Sequence, residues 1–412
     1  MKFEELTEKE FENASHTFEC MTFLQTPMLG RLREKAGWTI HYLGVREKNK
    51  IVACTMFMSK AKLFGKREFY APRGFLLDYS NRELFKFFTE EVKKYVKEHN
   101  GYVFRIDPAI INVERDINAN IVEGGIDNRD LKKYFKELGY NEIDEHNTEQ
   151  IHWMYSLPIE GKTSEELFKE MKSNTRNIIR KTEKDNFDLV ELKKDELEEF
   201  YDVLEETGDR KGFHIRTLEY FRDMYDLFGD DMKFIVARLN LKKHMAMLKE
   251  DREKAINDKN ALSDNKANDG KRKAFDEQIS GFDKKIALDE EIMKKTGKEV
   301  ITLSGSQFIL VQPEVLYFNS GNYDEYMMFN SQYLIQWKMI QYAVEHGYKK
   351  YNFYGISGNF DRNSETYGMY EFKTRFNGHV EELIGEFEMP VDKMYGLIKF
   401  LQKLKNGWKR KR

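Results

Sequence analysis

Apolar positions along the 412-residue chain fall into two registers, one of short strand-like runs and one of helical spacing. YLGVREKNKIVACTMFMSK reads as strand, turn and strand, followed by EFYAPRGFLLDY, a helix around Leu84 to Lys97, and GYVFRIDP. The same order returns later as FIVARLN with VITLSGSQFIL, then VLYFNSGNY, a helix around Ser331 to Glu345, and KYNFYGISG. Tyr70 to Asp107 is 37 positions (107 − 70) and Tyr317 to Gly355 is 38 (355 − 317). This pattern predicts two copies of one mixed α/β module.

Inside the second copy, Asn240 to Thr296 is free of proline and follows a heptad rhythm. Leu241, Met245, Leu248, Ala255 and Leu262 mark one arm, and Phe275, Ile279, Phe282, Ile286 and Met293 a second. The turn formers SDNKANDG, residues 263–270, separate them, so an antiparallel helical hairpin is predicted between two paired strands. The expected organisation is a first domain over 1–150, a second over 151–239 and 297–400, the hairpin over 240–296, and a basic tail over 401–412.

Composition narrows the function. With 40% hydrophobic residues the chain can bury real cores, and 68 Lys+Arg against 71 Asp+Glu, a net −3, excludes a wholly basic nucleic-acid coat. Any polyanion must bind locally. Cys20 and Cys54 form no CxxC and the nine histidines form no HExxH, so neither a disulfide framework nor a common zinc site is indicated, and no metal or tightly held cofactor is expected. MKFEELTEKE lacks an apolar signal core, and the apolar stretch around Ile51 to Met58 is far short of the roughly 18 residues of a membrane span. A cytoplasmic protein is expected.

Strand pair, further strand, helix and returning strand, preceded by helices, is the element order of the GNAT acyltransferase core. The acyl-CoA fingerprint of that fold, R/Q-x-x-G-x-G/A, wraps backbone amides around a pyrophosphate. None of the 26 glycines is followed two residues later by Gly or Ala, so the acyl group must come from another donor.

Four segments resemble the Fem family of peptidoglycan interpeptide-bridge aminoacyltransferases. They are YAPRGFLLD (70–78), KSNTRNIIRKTEK (172–184), GFHIRTLEYF (212–221), and YNFYGISGNF with YGMYEFKTRFNGHVEELIGEF (351–387). The resemblance implies an α+β fold of two GNAT-like domains with a coiled-coil arm. It implies transfer of glycine, alanine or serine from aminoacyl-tRNA to the stem peptide or growing bridge of a muramyl-pentapeptide precursor, lipid-linked or nucleotide-linked. Peripheral contact with the inner membrane face, and homo- or hetero-oligomers through the coiled coil, fit the same picture. Acceptors of another kind, a protein N-terminus or a phospholipid, and a non-catalytic scaffold that binds precursor are the alternatives.

Lys172, Arg176, Arg180 and Lys184 recur every four residues, which on a helix makes a basic face suited to the phosphates of tRNA or of a lipid-linked precursor. An ordinary solvated face has the same spacing. By resemblance, Arg216 and Tyr220 contact the precursor, and Arg is suited to bidentate pairing with carboxylate or phosphate. Phe372 and Lys373 of EFKTRF match the family's Phe-Lys pair at the cleft, where a lysine can hold phosphate or a developing oxyanion. Asp107 matches an acidic position at a strand end and is a candidate base; Arg73 shapes the adjoining wall. Asp361 and Glu371 are further base candidates by proximity, and His214 reads as structural. The hairpin carries 15 Lys+Arg against 13 Asp+Glu over 240–299, so partner or structural use competes with tRNA binding. The terminal WKRKR, with Trp408, suits tRNA or anionic lipid, and equally a solubilising tail.

Overall fold

The computed structural model describes residues 1–409; positions 410–412, and the side chains of 405–409 with Trp408 among them, lie outside the described residues. The first half runs β1 (Lys2–Glu5), α1 (Glu8–Ser15), α2 (Pro27–Lys35), β2 (Thr39–Glu47), β3 (Lys50–Ala61), β4 (Arg67–Ala71), β5 (Leu76–Leu77), α3 (Arg82–Glu98), β6 (Gly101–Ile106), β7 (Ile111–Glu114), α4 (Arg129–Glu137) and β8 (Asn141–Glu142). The next stretch is β9 (Trp153–Pro158), α5 (Ser164–Glu170), α6 (Ser173–Lys184), β10 (Asp188–Glu191), α7 (Leu197–Lys211), α8 (Leu218–Phe228), β11 (Met232–Asn240), α9 (Leu241–Asn260) and α10 (Asp269–Thr296). Then follow β12 (Val300–Val311), β13 (Glu314–Asn322), α11 (Ser331–Glu345), β14 (Lys350–Ile356), α12 (Tyr367–Thr374), β15 (His379–Leu383), β16 (Phe387–Pro390) and α13 (Tyr395–Lys409).

Two sheets of eight strands organise these elements. One has the order β1-β2-β3-β4-β6-β16-β8 with β5 beside β3, and the other β10-β11-β12-β13-β14-β9-β15-β7. In each, an antiparallel pair leads to a strand that lies parallel to its successor across a helix: β4 with β6 across α3, and β13 with β14 across α11. This is the duplicated GNAT-like module. β6 is buried along its whole length, as a central strand rich in Tyr, Val, Phe and Ile must be. Leu84, Phe85, Phe88, Val92, Tyr95 and Val96 give α3 one buried face against its sheet.

The halves are not sealed off at residue 150. β7 pairs with β15 in the second sheet, and β16 returns to pair with β6 in the first. A shared core binds them as well: Phe11, Phe23, Leu29 and Met56 pack in one cluster with Phe221, Phe228, Phe234 and Leu316. Among the described residues no helix is long and apolar enough to cross a membrane.

α9 and α10 form the hairpin. They leave and rejoin the sheet at Asn240 and Val300, which are partners in the β11–β12 ladder. At about 1.5 Å per residue the arms are roughly 30 and 42 Å long. Apolar burial is concentrated at the root, where Leu241, Met245 and Leu248 are buried with Ile292; along the rest of the arms Ala255 is buried, while Phe275, Ile279, Phe282 and Ile286 are only half covered. Ion pairs Arg252–Asp283 at 2.6 Å and Lys259–Asp276 at 2.5 Å cross the outer part.

Candidate active site

β4 ends in the Pro-Arg-Gly turn, where Arg73 takes a left-handed backbone, φ 54°. Gln25, fully buried, donates to the Pro72 carbonyl at 2.7 Å and holds the turn. Gly74 is required by space, since a Cβ there would lie 2.7 Å from Thr55 Oγ1. The turn delivers Arg73 to Asp107, just past the end of β6. The Arg73 N–H donates to Asp107 Oδ1 at 2.9 Å, its Nη1 lies 3.2 Å from Oδ2, and its Nη2 donates to the Ile151 carbonyl at 2.6 Å. Asp107 is 2% exposed; burial pushes its carboxyl up to about 6, against the pull of Arg73.

Ile151 faces the end of β14. A Cβ on Gly355 would lie 2.5 Å from Ile151 Cδ1, and one on Gly358 (φ +71°) 2.4 Å from Trp153 Cδ1, so both glycines permit a close backbone approach. The Gly355 carbonyl accepts from Lys373 Nζ at 2.6 Å. Lys373, on α12, is 5% exposed and has no ion-pair partner among the described residues; burial lowers its pKa to about 7. A buried amine that faces a carbonyl and no carboxylate bears the cost of burial without an internal counter-charge.

Tyr354 completes the junction. β13 and β14 pair only from Glu314–Leu316 to Lys350–Asn352 and then part, and Tyr354 sits beyond the split with φ 64°. Its ring lies 5.3 Å from Phe318, and burial first, then the charges of Arg73 and Asp107 and the nearby Tyr220, sets its phenol, which is pushed up to about 12. Arg73, Asp107 and Tyr220 thus gather around Tyr354, and Lys373 reaches the carbonyl of the next residue, Gly355, from α12. Arg216, exposed, lies over the Tyr220 ring at 5.5 Å. Phe372 is half-buried against Tyr333 and Phe376, in the core of the second sheet.

Beside Arg73 a cavity of about 120 Å³ opens between the halves, lined among others by Phe23, Glu314, Lys350, Asn352, Tyr354 and Glu381. Lys350 Nζ lies 3.1 Å from Glu314 Oε2 and 3.3 Å from Glu381 Oε1, and Asn352 donates to Glu314 at 2.9 Å. Burial raises the Glu381 carboxyl, but Lys350 outweighs it and holds the group below its ordinary value. The sequence reading missed this cluster. Its one signal is the alternation of Lys350, Asn352 and Tyr354 inside an apolar strand, which turns three polar groups to one face.

The basic stripe stands apart. Lys172 precedes α6 without a capping bond and, like Lys184, is exposed, but Arg176 donates to the carbonyls of Lys169 and Met171 at 2.6 and 2.7 Å, and Arg180 lies 5.2 Å over the Phe168 ring. Two of its four cations therefore fasten α5 to α6. His214, Asp361 and Glu371 are exposed.

The FemAB family model matches residues 6–403. Aminoacyltransferase FemB of Staphylococcus epidermidis is 34% identical over 431 residues, covering all of both chains, and aminoacyltransferase FemA of the same organism is 29% identical over 422 residues, covering 98% of this chain and all of that one. The solved structure of FemX superposes with a TM-score of 0.75 at 24% identity, covering 97% of this chain and all of that one, which establishes the shared fold.

Proposed function

The chain belongs to the FemAB family and is an aminoacyltransferase, and from that premise we propose that it transfers glycine, alanine or serine from aminoacyl-tRNA to the stem peptide or growing cross-bridge of a lipid-linked peptidoglycan precursor. Lys373 carries this reading: a buried amine with no carboxylate partner among the described residues, held against the Gly355 carbonyl near the end of β14. The acceptor amine attacks the ester carbonyl of the aminoacyl-tRNA, a tetrahedral oxyanion forms, and its collapse releases the ribose hydroxyl while the acceptor nitrogen loses a proton. The ester supplies the driving force, so the protein has to orient the reactants and stabilise charge. Lys373 is assigned to the oxyanion or to a precursor phosphate. Arg216 with Tyr220 is assigned to the precursor at the cleft edge. As the base, Asp107 is poorly placed, because both its oxygens face Arg73 and it is 2% exposed. Its assigned role is to fix the Arg73 turn.

Transfer of radiolabelled glycine, alanine or serine from charged tRNA to lipid-linked precursor, unbranched or carrying one added residue, tests the proposal. Product from one pairing identifies donor and bridge position together. No product from any pairing, with folded protein and a working control enzyme, overturns it.

A further inference from the structure

α13 leaves one of its faces uncovered. Ile398 is fully buried and forms a small core with Tyr102 and Val103 of β6, flanked by Met394 and Tyr395, and Gln402 donates to the Tyr102 hydroxyl at 3.1 Å. Away from that contact Leu397, Phe400 and Leu404 are 50%, 59% and 48% exposed. Spacings of three and four put them on one side of the helix. The turn between β3 and β4 lies close to the start of α13: Lys66 Nζ lies 2.8 Å from Asp392 Oδ2 just ahead of the helix, and Leu63 and Phe64 in that turn are exposed.

Charge gathers in the same stretch of the sequence. Residues 393–412 hold eight Lys and Arg (393, 399, 403, 405 and 409–412) and no Asp or Glu, so the rest of this −3 chain carries −11 (−3 − 8). An exposed apolar stripe within a strongly basic segment has the composition of a helix that lies in the plane of a membrane surface.

We propose that α13 docks the protein on an anionic lipid bilayer, with Leu397, Phe400 and Leu404 entering the boundary between headgroups and acyl chains and the surrounding lysines meeting lipid phosphates. An RNA backbone would engage the cations but has no use for the apolar stripe. A second copy of α13 would meet it with the same strong positive charge. Geometry links the docked helix to the cleft. Tyr102 and Asp107 are five positions apart on and just past β6, roughly 17 Å at about 3.3 Å per residue, so the bilayer contact and the Arg73–Asp107 junction lie at opposite ends of one central strand. That reach suits an acceptor whose lipid tail stays in the membrane. This last step rests on the lipid-linked acceptor proposed above, whereas the docking itself does not.

Flotation of the full chain with vesicles of phosphatidylcholine alone, or mixed with phosphatidylglycerol, at low and high salt, tests the docking. Wild type should float with the anionic vesicles only, and less at high salt. The combined Leu397→Ser, Phe400→Ser, Leu404→Ser variant should lose at least about tenfold in vesicle affinity, while keeping its melting transition and its transfer to a water-soluble, nucleotide-linked acceptor. If that variant loses its melting transition, Lys393→Glu with Lys403→Glu, at two exposed positions, carries the same comparison. Equal flotation of wild type and variants overturns the proposal. So does an absence of vesicle binding, whether the substitutions then remove tRNA binding or self-association or leave both intact. Because flotation needs no turnover, failure of docking and failure of the transferase reading are told apart.

Discussion

Lys373 is costly to fold. Burial lowers its pKa from 10.5 to about 7, so between those values the unfolded chain binds more protons than the folded one. Stability therefore rises as pH climbs from about 7 toward 10.5, and the full cost is present below 7. The cost is of the order of a few kcal/mol. Lys373→Met should accordingly be more stable than wild type at pH 7, lack the rise above pH 7, and lose most of its transfer activity. Denaturant midpoints across pH, set beside the transfer assay, check it; a less stable Lys373→Met would assign the side chain to structure. The residues that YAPRG and EFKTRF place, Arg73 and Lys373, are legible in the sequence because each sits in a compact motif. Glu314, Lys350 and Glu381 are not, because they lie on three different strands and only the β14–β13 and β14–β9–β15 pairing brings them together.

At the scale of elements, the hairpin shows both what periodicity reveals and what it hides. Heptad spacing predicts two antiparallel arms, and two arms form, but the same pattern is silent on the polar pin at their root. His244, 3% exposed, lies with Nδ1 2.7 Å from Asp289 Oδ2 and Nε2 3.6 Å from Asp185 Oδ1, and Lys285 pairs with Asp185 at 2.7 Å. Burial works to lower the imidazole's pKa, but the two carboxylates prevail and raise it to about 9. A histidine whose folded pKa is raised contributes stability that is complete below about 6.5 and disappears as pH rises through about 9. Amide exchange in residues 241–255, corrected for its intrinsic rate, should therefore accelerate between pH 7 and 10, while that of β6 stays protected. His244→Leu should open the root at pH 7 by leaving Asp289 buried and unpaired, a loss of about 3 to 5 kcal/mol. Adding Asp289→Leu should restore much of it. Unchanged exchange across this range would remove the ion pair from the hairpin's support.

For the whole molecule, the duplicated pattern suggests two bodies joined near residue 150, yet the strands cross that line. β7 and β16 have only four residues each, too few for alternation to reveal a partner, and their pairing is settled by the sheet edges available after the long strands have formed. The consequence is mutual dependence. A fragment of residues 1–150 would lack β16 against β6, would leave β7 without β15, and would lose the Glu386 partner of Arg105, 3.1 Å away. It would also strip Phe221, Phe228 and Leu316 from the core that holds Phe11 and Phe23. Exposing a central strand edge and half a core favours association over folding. The fragment alone should show no cooperative melting transition, whereas co-expression with residues 151–412 should yield a soluble pair with one transition. The Arg73 turn depends on the same closure, since its guanidinium spans from Asp107 to the Ile151 carbonyl across the cut. Transfer activity should return only with the reconstituted pair, and a fragment 1–150 that melts cooperatively by itself would show that the exchanged strands are ornament on two self-sufficient domains.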